Sequence, residues 1–343
     1  MCHKKAVVSK LRKRLFMLIA AGFLMNTPEP AQAEVIFDFN FTDALGVGFN
    51  ANGQTGSDRR QGLTNAGNYL AGFFKNYTAT INMDVNGSET GPNTLASAGS
   101  NFSASVATNG FVSSGDVRTK ILGGDAADPS PALADGTVNW NFANFQWEPF
   151  DDFQPGELDL FSTAVHELLH AVGFASSIGQ DGSSGFSDPI GAPTAWTTFD
   201  QFVADSTGAL IDGTFALDTA RWNAASVGGA GPVDGLLFNG PNAVLANGGN
   251  PVPLYSPATW LGGSSGSHLD TDFFNGTNGN ALKMMNHEGA VASGLDTRVI
   301  SAIEVGILRD IGYTNISAVP EPGSLAFVLA SGVAVFVRRR RKA

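Results

Sequence analysis

Cysteine is almost missing. Cys2 stands alone in 343 residues, inside a basic and apolar leader, so an exported body would carry no thiol. Disulfides, thiolate metal sites, a catalytic cysteine and an inhibitory cysteine in a pro-segment are thereby excluded. Basic residues are scarce in the body as well: of 20 Lys and Arg, six lie within residues 1–14 and five within 338–342, leaving nine against 29 acidic residues over 34–318, a formal charge of −20. Such a body repels nucleic acid and anionic membrane surfaces, so polyanionic partners are excluded. No apolar run reaches the roughly 20 residues that span a bilayer comfortably. No internal repeat recurs, and the 42 glycines follow no period, which rules out a fibrous chain. The apolar fraction of 43% is nonetheless enough to bury a core.

What is present begins with the two ends. Lys4, Lys5, Lys10, Arg12, Lys13 and Arg14 precede an apolar run over 15–25, and Ala31-Gln32-Ala33 follows Pro28 and Pro30. This order reads as a secretory signal peptide over 1–33, removed before Glu34; the run is too short to favour a membrane anchor. At the other end Val319-Pro320-Glu321-Pro322-Gly323 leads into an apolar run over 324–337 and then Arg338-Arg339-Arg340-Arg341-Lys342. That order resembles the PEP-CTERM sorting tail of Gram-negative bacteria over 319–343. The leader implies signal peptidase as a processing partner; the resemblance implies an exosortase-type enzyme, transient membrane association through the tail, and delivery to the cell envelope or extracellular matrix. A plain C-terminal anchor is the alternative, and both readings put the body outside the cytoplasm.

Between the ends, alternation of Val35, Phe37, Phe39 and Phe41 predicts a strand over 34–41. Leu63, Ala66, Tyr69, Leu70 and Phe73 or Phe74 recur at helical spacing and predict a helix over 60–75, followed by strands over 78–85 and 137–142. Residues 86–136 read as loops and short strands. Residues 179–266 are dominated by turn formers, interrupted at 196–203 and 209–215, and read as a loop-rich insertion. Asp296 or Ser293 is expected to cap a last helix running to about Arg309, with Val299, Ile300, Ile303, Ile307 and Leu308 on one face and Gly312 as its stop. The fold class is α+β.

The chemistry concentrates at His166-Glu167-Leu168-Leu169-His170, an H-E-x-x-H motif within a helical pattern that Asp159 can cap and Gly173 can stop. Side chains four apart on a helix lie one above the other, so His166 and His170 can direct imidazole nitrogens at one ion, with Glu167 beside them to handle a proton. The body holds four histidines, and two of them form this pair. A catalytic zinc needs a third protein ligand and an open position. His268 and His287 are the imidazoles left to supply it, with Glu288 and Glu304 as carboxylate fallbacks; Glu304 reads more simply as a solvated helix residue.

Gly173 stands where metzincin metalloproteases carry the glycine of H-E-x-x-H-x-x-G-x-x-H, whereas Ser176 stands where their last histidine would be. With Ser267-His268-Leu269-Asp270, Met284-Met285-Asn286-His287 and the closing Asp310-Ile311-Gly312-Tyr313, the stretch 161–313 resembles leishmanolysin-like metzincins, in which an insertion separates the active-site helix from the third histidine. The resemblance implies a twisted sheet with an active-site helix in an N-terminal catalytic half (34–180), the insertion (181–267), and a small C-terminal helical subdomain (268–318). It implies Zn2+ held by His166, His170 and His268, and a methionine turn at Met285, with Met284 the near alternative. It implies Glu167 as the acid–base catalyst of an exported metalloendopeptidase acting on protein or peptide substrates. A catalytically inactive envelope or matrix protein and a zinc hydrolase of cell-wall amide bonds are the competing readings.

Overall fold

The computed structural model describes residues 34–103, 109–113, 115–186, 195–277, 280–288 and 297–316. The leader at 1–33, the tail at 319–343 and the capping residues Ser293 and Asp296 lie outside the described residues. Among the described residues, no helix is long and apolar enough to cross a membrane.

Alternation does produce the first strands. In β1 (Val35–Phe41) Val35 and Phe37 are buried while Ile36 and Asp38 are exposed, and in β2 (Ala79–Asn86) Ala79, Ile81, Met83 and Val85 all point into the core. Between them runs α1 (Gln54–Ala71), six residues longer at its start than the apolar spacing indicates. Its second turn is tied down by tertiary contacts: the guanidinium groups of Arg59 and Arg60 donate to the carbonyls of Gly48 (2.7 Å) and Phe49 (2.5 Å). Further along come β3 (Ala96–Ser100), β4 (Gly110–Ser113), α2 (Asp116–Gly123) and β5 (Gly136–Trp140). β1, β2 and β5 are parallel, and β3 pairs antiparallel with β5, giving the order β1-β2-β5-β3. β3 is therefore an edge strand, with one side unpaired among the described residues.

Two short parallel strands, β6 (Gln146–Glu148) and β7 (Glu157–Asp159), deliver the chain to α3 (Leu160–Ala171), the helix that carries H-E-x-x-H. α3 lies against α1 at Gly62, where a Cβ would come within 2.8 Å of Leu160 Cδ2. The close approach requires a residue without a side chain.

The region read as a loop-rich insertion holds short elements: β8 (Ala195–Thr197), β9 (Val203–Asp205), β10 (Gly208–Ala209), α4 (Thr219–Ala225), β11 (Leu237–Phe238), α5 (Pro241–Ala246) and β12 (Val252–Pro253). Four of them form a small antiparallel sheet in the order β10-β9-β11-β12. Strands of two or three residues leave no periodic trace in a sequence.

The last helix, α6 (Ala302–Asp310), starts later than expected. Its cap is Ser301, which forms a capping box: Ser301 Oγ accepts the Glu304 N–H, and Glu304 Oε2 accepts the Ser301 N–H at 2.6 Å. Val299 precedes the helix and is exposed, so it does not join the apolar face. At its other end Asp310 accepts the N–H groups of Asn242 and Ala243 and thereby caps α5. Buried apolar residues from Val35 to Ile316 form one continuous cluster, and the architecture is mixed α+β.

Candidate metal centre

α3 is fixed at both ends. Asp159 caps it by accepting the N–H groups of Phe161 (3.0 Å) and Ser162 (3.3 Å), and its carboxylate is gripped in turn by Arg298 through Nε (2.5 Å) and Nη2 (2.8 Å). At the other end Gly173 adopts φ +104°, and the Phe174 N–H returns to the Leu169 carbonyl, a glycine-terminated helix end. Tyr313, fully buried after α6, donates its hydroxyl to the Val172 carbonyl. The helix buries Ala164, Val165, Leu168 and Leu169, which leaves the two histidines on the opposite side, only partly covered.

Three imidazoles meet there. His268 Nε2 lies 3.0 Å from His166 Nε2 and 3.1 Å from His170 Nε2, a grouping able to hold a metal ion. His268 arrives on an irregular extended segment, bridged on one side to Leu254 and on the other to Asn286 through Leu269. Each ring is oriented by a backbone carbonyl at its other nitrogen: Met284 at His166 Nδ1 (2.8 Å), Phe174 at His170 Nδ1 (2.8 Å) and Ser264 at His268 Nδ1 (2.9 Å). A carbonyl only accepts, so each Nδ1 carries the proton and each Nε2 presents a bare lone pair. Three lone pairs converging without a proton among them repel one another, and a cation at their focus removes the repulsion. Nitrogens about 2.0–2.1 Å from a tetrahedral ion stand roughly 3.3–3.4 Å apart, within a few tenths of an ångström of the spacing seen.

Loss of water around the ring nitrogens keeps the rings in the ligating, neutral form even though His166 and His170 are only half-buried. It is the main cause that lowers His166 to about 3, helped by the nearby His170, and that lowers His170 to about 4; carbonyl hydrogen bonds oppose both. His268 is held well below the ordinary histidine value by burial first, then by His170 and His166. Glu167 stays outside the imidazole cluster. Burial pushes its carboxyl up to about 8, an effect that the neighbouring Ala98 backbone of β3 partly offsets.

The remaining site residues separate. His287 is not with the three rings: its Nδ1 is 2.8 Å from Thr271 Oγ1 and its ring stacks on Tyr255 with centroids 3.6 Å apart. Glu288 is exposed at the rim. Glu304, expected to be solvated, is completely buried, and its Oε1 accepts the Met285 N–H at 2.8 Å, so its two oxygens are engaged in holding a turn and a helix start. Met285 is fully buried, and Met284 contributes the carbonyl that orients His166. Ser176 has a different task from that of a ligand. Its hydroxyl donates to buried Asp200 (2.7 Å) together with Ser177 and Thr197, while its N–H donates to Ser267 Oγ beside His268 (3.1 Å). The three rings and Glu167 line one cleft of about 1180 Å³, which the edge strand β3 also borders.

Sequence reasoning passed over the Ala98 backbone beside Glu167, the Asp200 cluster and the Arg298 clamp. Backbone groups carry no side-chain signature, and the Asp159–Arg298 partners are 139 residues apart. No protein-family model and no curated protein matches this chain.

Proposed function

We propose that the chain is an exported zinc-dependent metalloendopeptidase of the leishmanolysin-like metzincin type. The observation that carries the reading is the convergence of three proton-free imidazole nitrogens beside a buried carboxyl in an open cleft. An all-nitrogen set of three, leaving one position open, suits zinc in a hydrolytic role. The parallel sheet with one antiparallel edge strand, the glycine turn after α3, the distant histidine and the buried turn at Met285 support the family reading. Zinc, when bound, supplies a Lewis acid that polarises a carbonyl and brings water towards ionisation at neutral pH.

The chain's own residues supply the rest. The burial that raises Glu167 makes it a stronger base than an exposed carboxylate, and a cation held by the neighbouring rings favours its ionised form. In this reading Glu167, which lines the cleft with the three rings, takes a proton from the attacking water and returns it to the leaving amine. The unpaired side of β3 offers backbone N–H and C=O groups to an extended peptide, which supports a polypeptide substrate over a small amide. We extend the proposal to processing by signal peptidase and an exosortase-type enzyme, and to residence in the envelope or matrix.

Casein or gelatin hydrolysis by the zinc-loaded protein tests the reading, set against chelator-treated protein and the Glu167→Ala variant. Activity that needs both zinc and Glu167 is the expected result. Zinc-loaded protein that leaves proteins intact but cleaves cell-wall amides, or cleaves nothing, overturns it.

A further inference from the structure

Beyond the C-terminal end of β3, Phe102 and Phe186 pack together with ring centroids 4.7 Å apart and planes inclined at 53°. Both line the cleft that holds the three imidazoles, yet neither belongs to the molecule's buried apolar cluster, and Phe102 is 45% exposed. They come from different walls. Phe102 lies two residues past the end of β3, whose side left unpaired among the described residues borders the cleft. Phe186 sits on a turn after α3, anchored where Gly185 N–H donates to the Ser177 carbonyl, Phe186 N–H donates to Ser184 Oγ, and Ser184 Oγ donates to the Ala195 carbonyl. Two large apolar rings held at the mouth of an aqueous cleft by separately anchored segments, and packed among the described residues on each other and not on the core, make a receptor surface.

We propose that Phe102 and Phe186 form an apolar subsite that selects a bulky aromatic or aliphatic side chain of the peptide substrate; this rests on the endopeptidase reading and extends it to specificity. The register follows from β3. Ala98, at the centre of β3, and Glu167 line the same cleft, so the reacting carbonyl is assigned to the middle of the strand. At roughly 3.3 Å per residue, Phe102 is at most about 13 Å further on, which places the selected side chain within four residues of the scissile bond. Inclined rings form a wedge that a side chain can enter edge-on, whereas a sugar needs a flat platform ringed by available hydroxyls. The nearby hydroxyls of Ser177 and Thr197 already donate to Asp200.

The test walks a single Phe, Leu or Ser through the four positions on each side of the scissile bond in a Ser/Ala peptide, using zinc-loaded full-length protein. One position is expected to favour Phe and Leu over Ser by about tenfold or more in kcat/KM, within the range that apolar pockets deliver. Phe102→Ala and Phe186→Ala should each cut that preference below about threefold while leaving the all-Ser/Ala peptide unchanged, and Phe102→Leu should restore most of it. Binding of the same fluorescent peptides to the Glu167→Ala protein gives a second reading that needs no turnover. If nothing is cleaved but the Phe peptide binds more tightly than the Ser peptide, and Phe102→Ala abolishes the difference, the endopeptidase reading fails and the subsite stands. Cleavage without side-chain preference, a preference that both substitutions leave intact, loss of binding only for a cell-wall glycan, or no binding with no cleavage overturns the subsite.

Discussion

A histidine whose Nδ1–H is held by a carbonyl has only its Nε2 lone pair left to offer, and the carbonyls of Met284, Phe174 and Ser264 impose that state on His166, His170 and His268. His268→Ala is therefore expected to weaken zinc binding by at least about 100-fold, read by competition against a chromogenic chelator. His287→Ala, whose ring is occupied with Thr271 and Tyr255, should leave the affinity within about threefold of wild type. Equal loss in both variants would contradict the ligand set. Glu167→Gln should retain zinc and lose roughly 10²–10⁴-fold in hydrolysis, since it removes the proton acceptor and keeps the shape. A Glu167→Gln protein with undiminished turnover would mean that another group moves the proton.

The helix carrying the motif depends on residues far from it in sequence. Removing the Arg298 guanidinium strands the buried carboxylate of Asp159 at the start of α3, so Arg298→Ala should cost about 2–3 kcal/mol in urea unfolding, below the full buried-pair value because Arg298 is partly exposed. Gly173→Ala has room for its methyl, with nothing nearer than 3.6 Å, so its cost of about 1–2 kcal/mol would come from forcing φ +104° on a residue with a Cβ. Because the same turn sets the Phe174 carbonyl on His170, zinc affinity should fall together with stability; an affinity unchanged by Gly173→Ala would separate the two. This local logic is also why α3 was readable from sequence: cap, apolar side, histidine pair and stop all fall within fifteen residues. Glu304 was misread for the opposite reason, because the group it serves is the backbone of Met285, 19 residues earlier. The start of α6 falls later than Ser293 or Asp296 implies because the chain caps itself at Ser301, where the Ser301-x-x-Glu304 pattern closes a capping box.

At the scale of the whole molecule, the third histidine is brought home by a tertiary return. His268 is positioned by the bridges from Leu254 to Leu269 and from Leu269 to Asn286, and neither leaves a periodic mark, so the sequence offered His268 through resemblance and kept His287 as a rival. Folding thereby gathers neutral imidazoles into one place, and stability inherits a pH dependence. Above pH 6.5 both folded and unfolded states hold His166 and His170 neutral; between 6.5 and about 3–4 only the unfolded chain takes up those protons, so acid lowers stability. Glu167 acts in the other direction between pH 8 and 4.5, so the measurement belongs in metal-free Glu167→Gln protein. There, the difference in unfolding free energy between this protein and its His166→Asn/His170→Asn derivative should shrink steadily as pH falls from 6.5 to 4. A difference flat across that window would mean the rings are not buried as neutral bases. The most direct test of the central claim is X-ray absorption at the zinc edge of the fully loaded protein. Three imidazole nitrogens at about 2.0–2.1 Å, reduced to two in His268→Ala, are predicted. A zinc shell without imidazole scattering, or one that the His268→Ala substitution leaves unaltered, would contradict it.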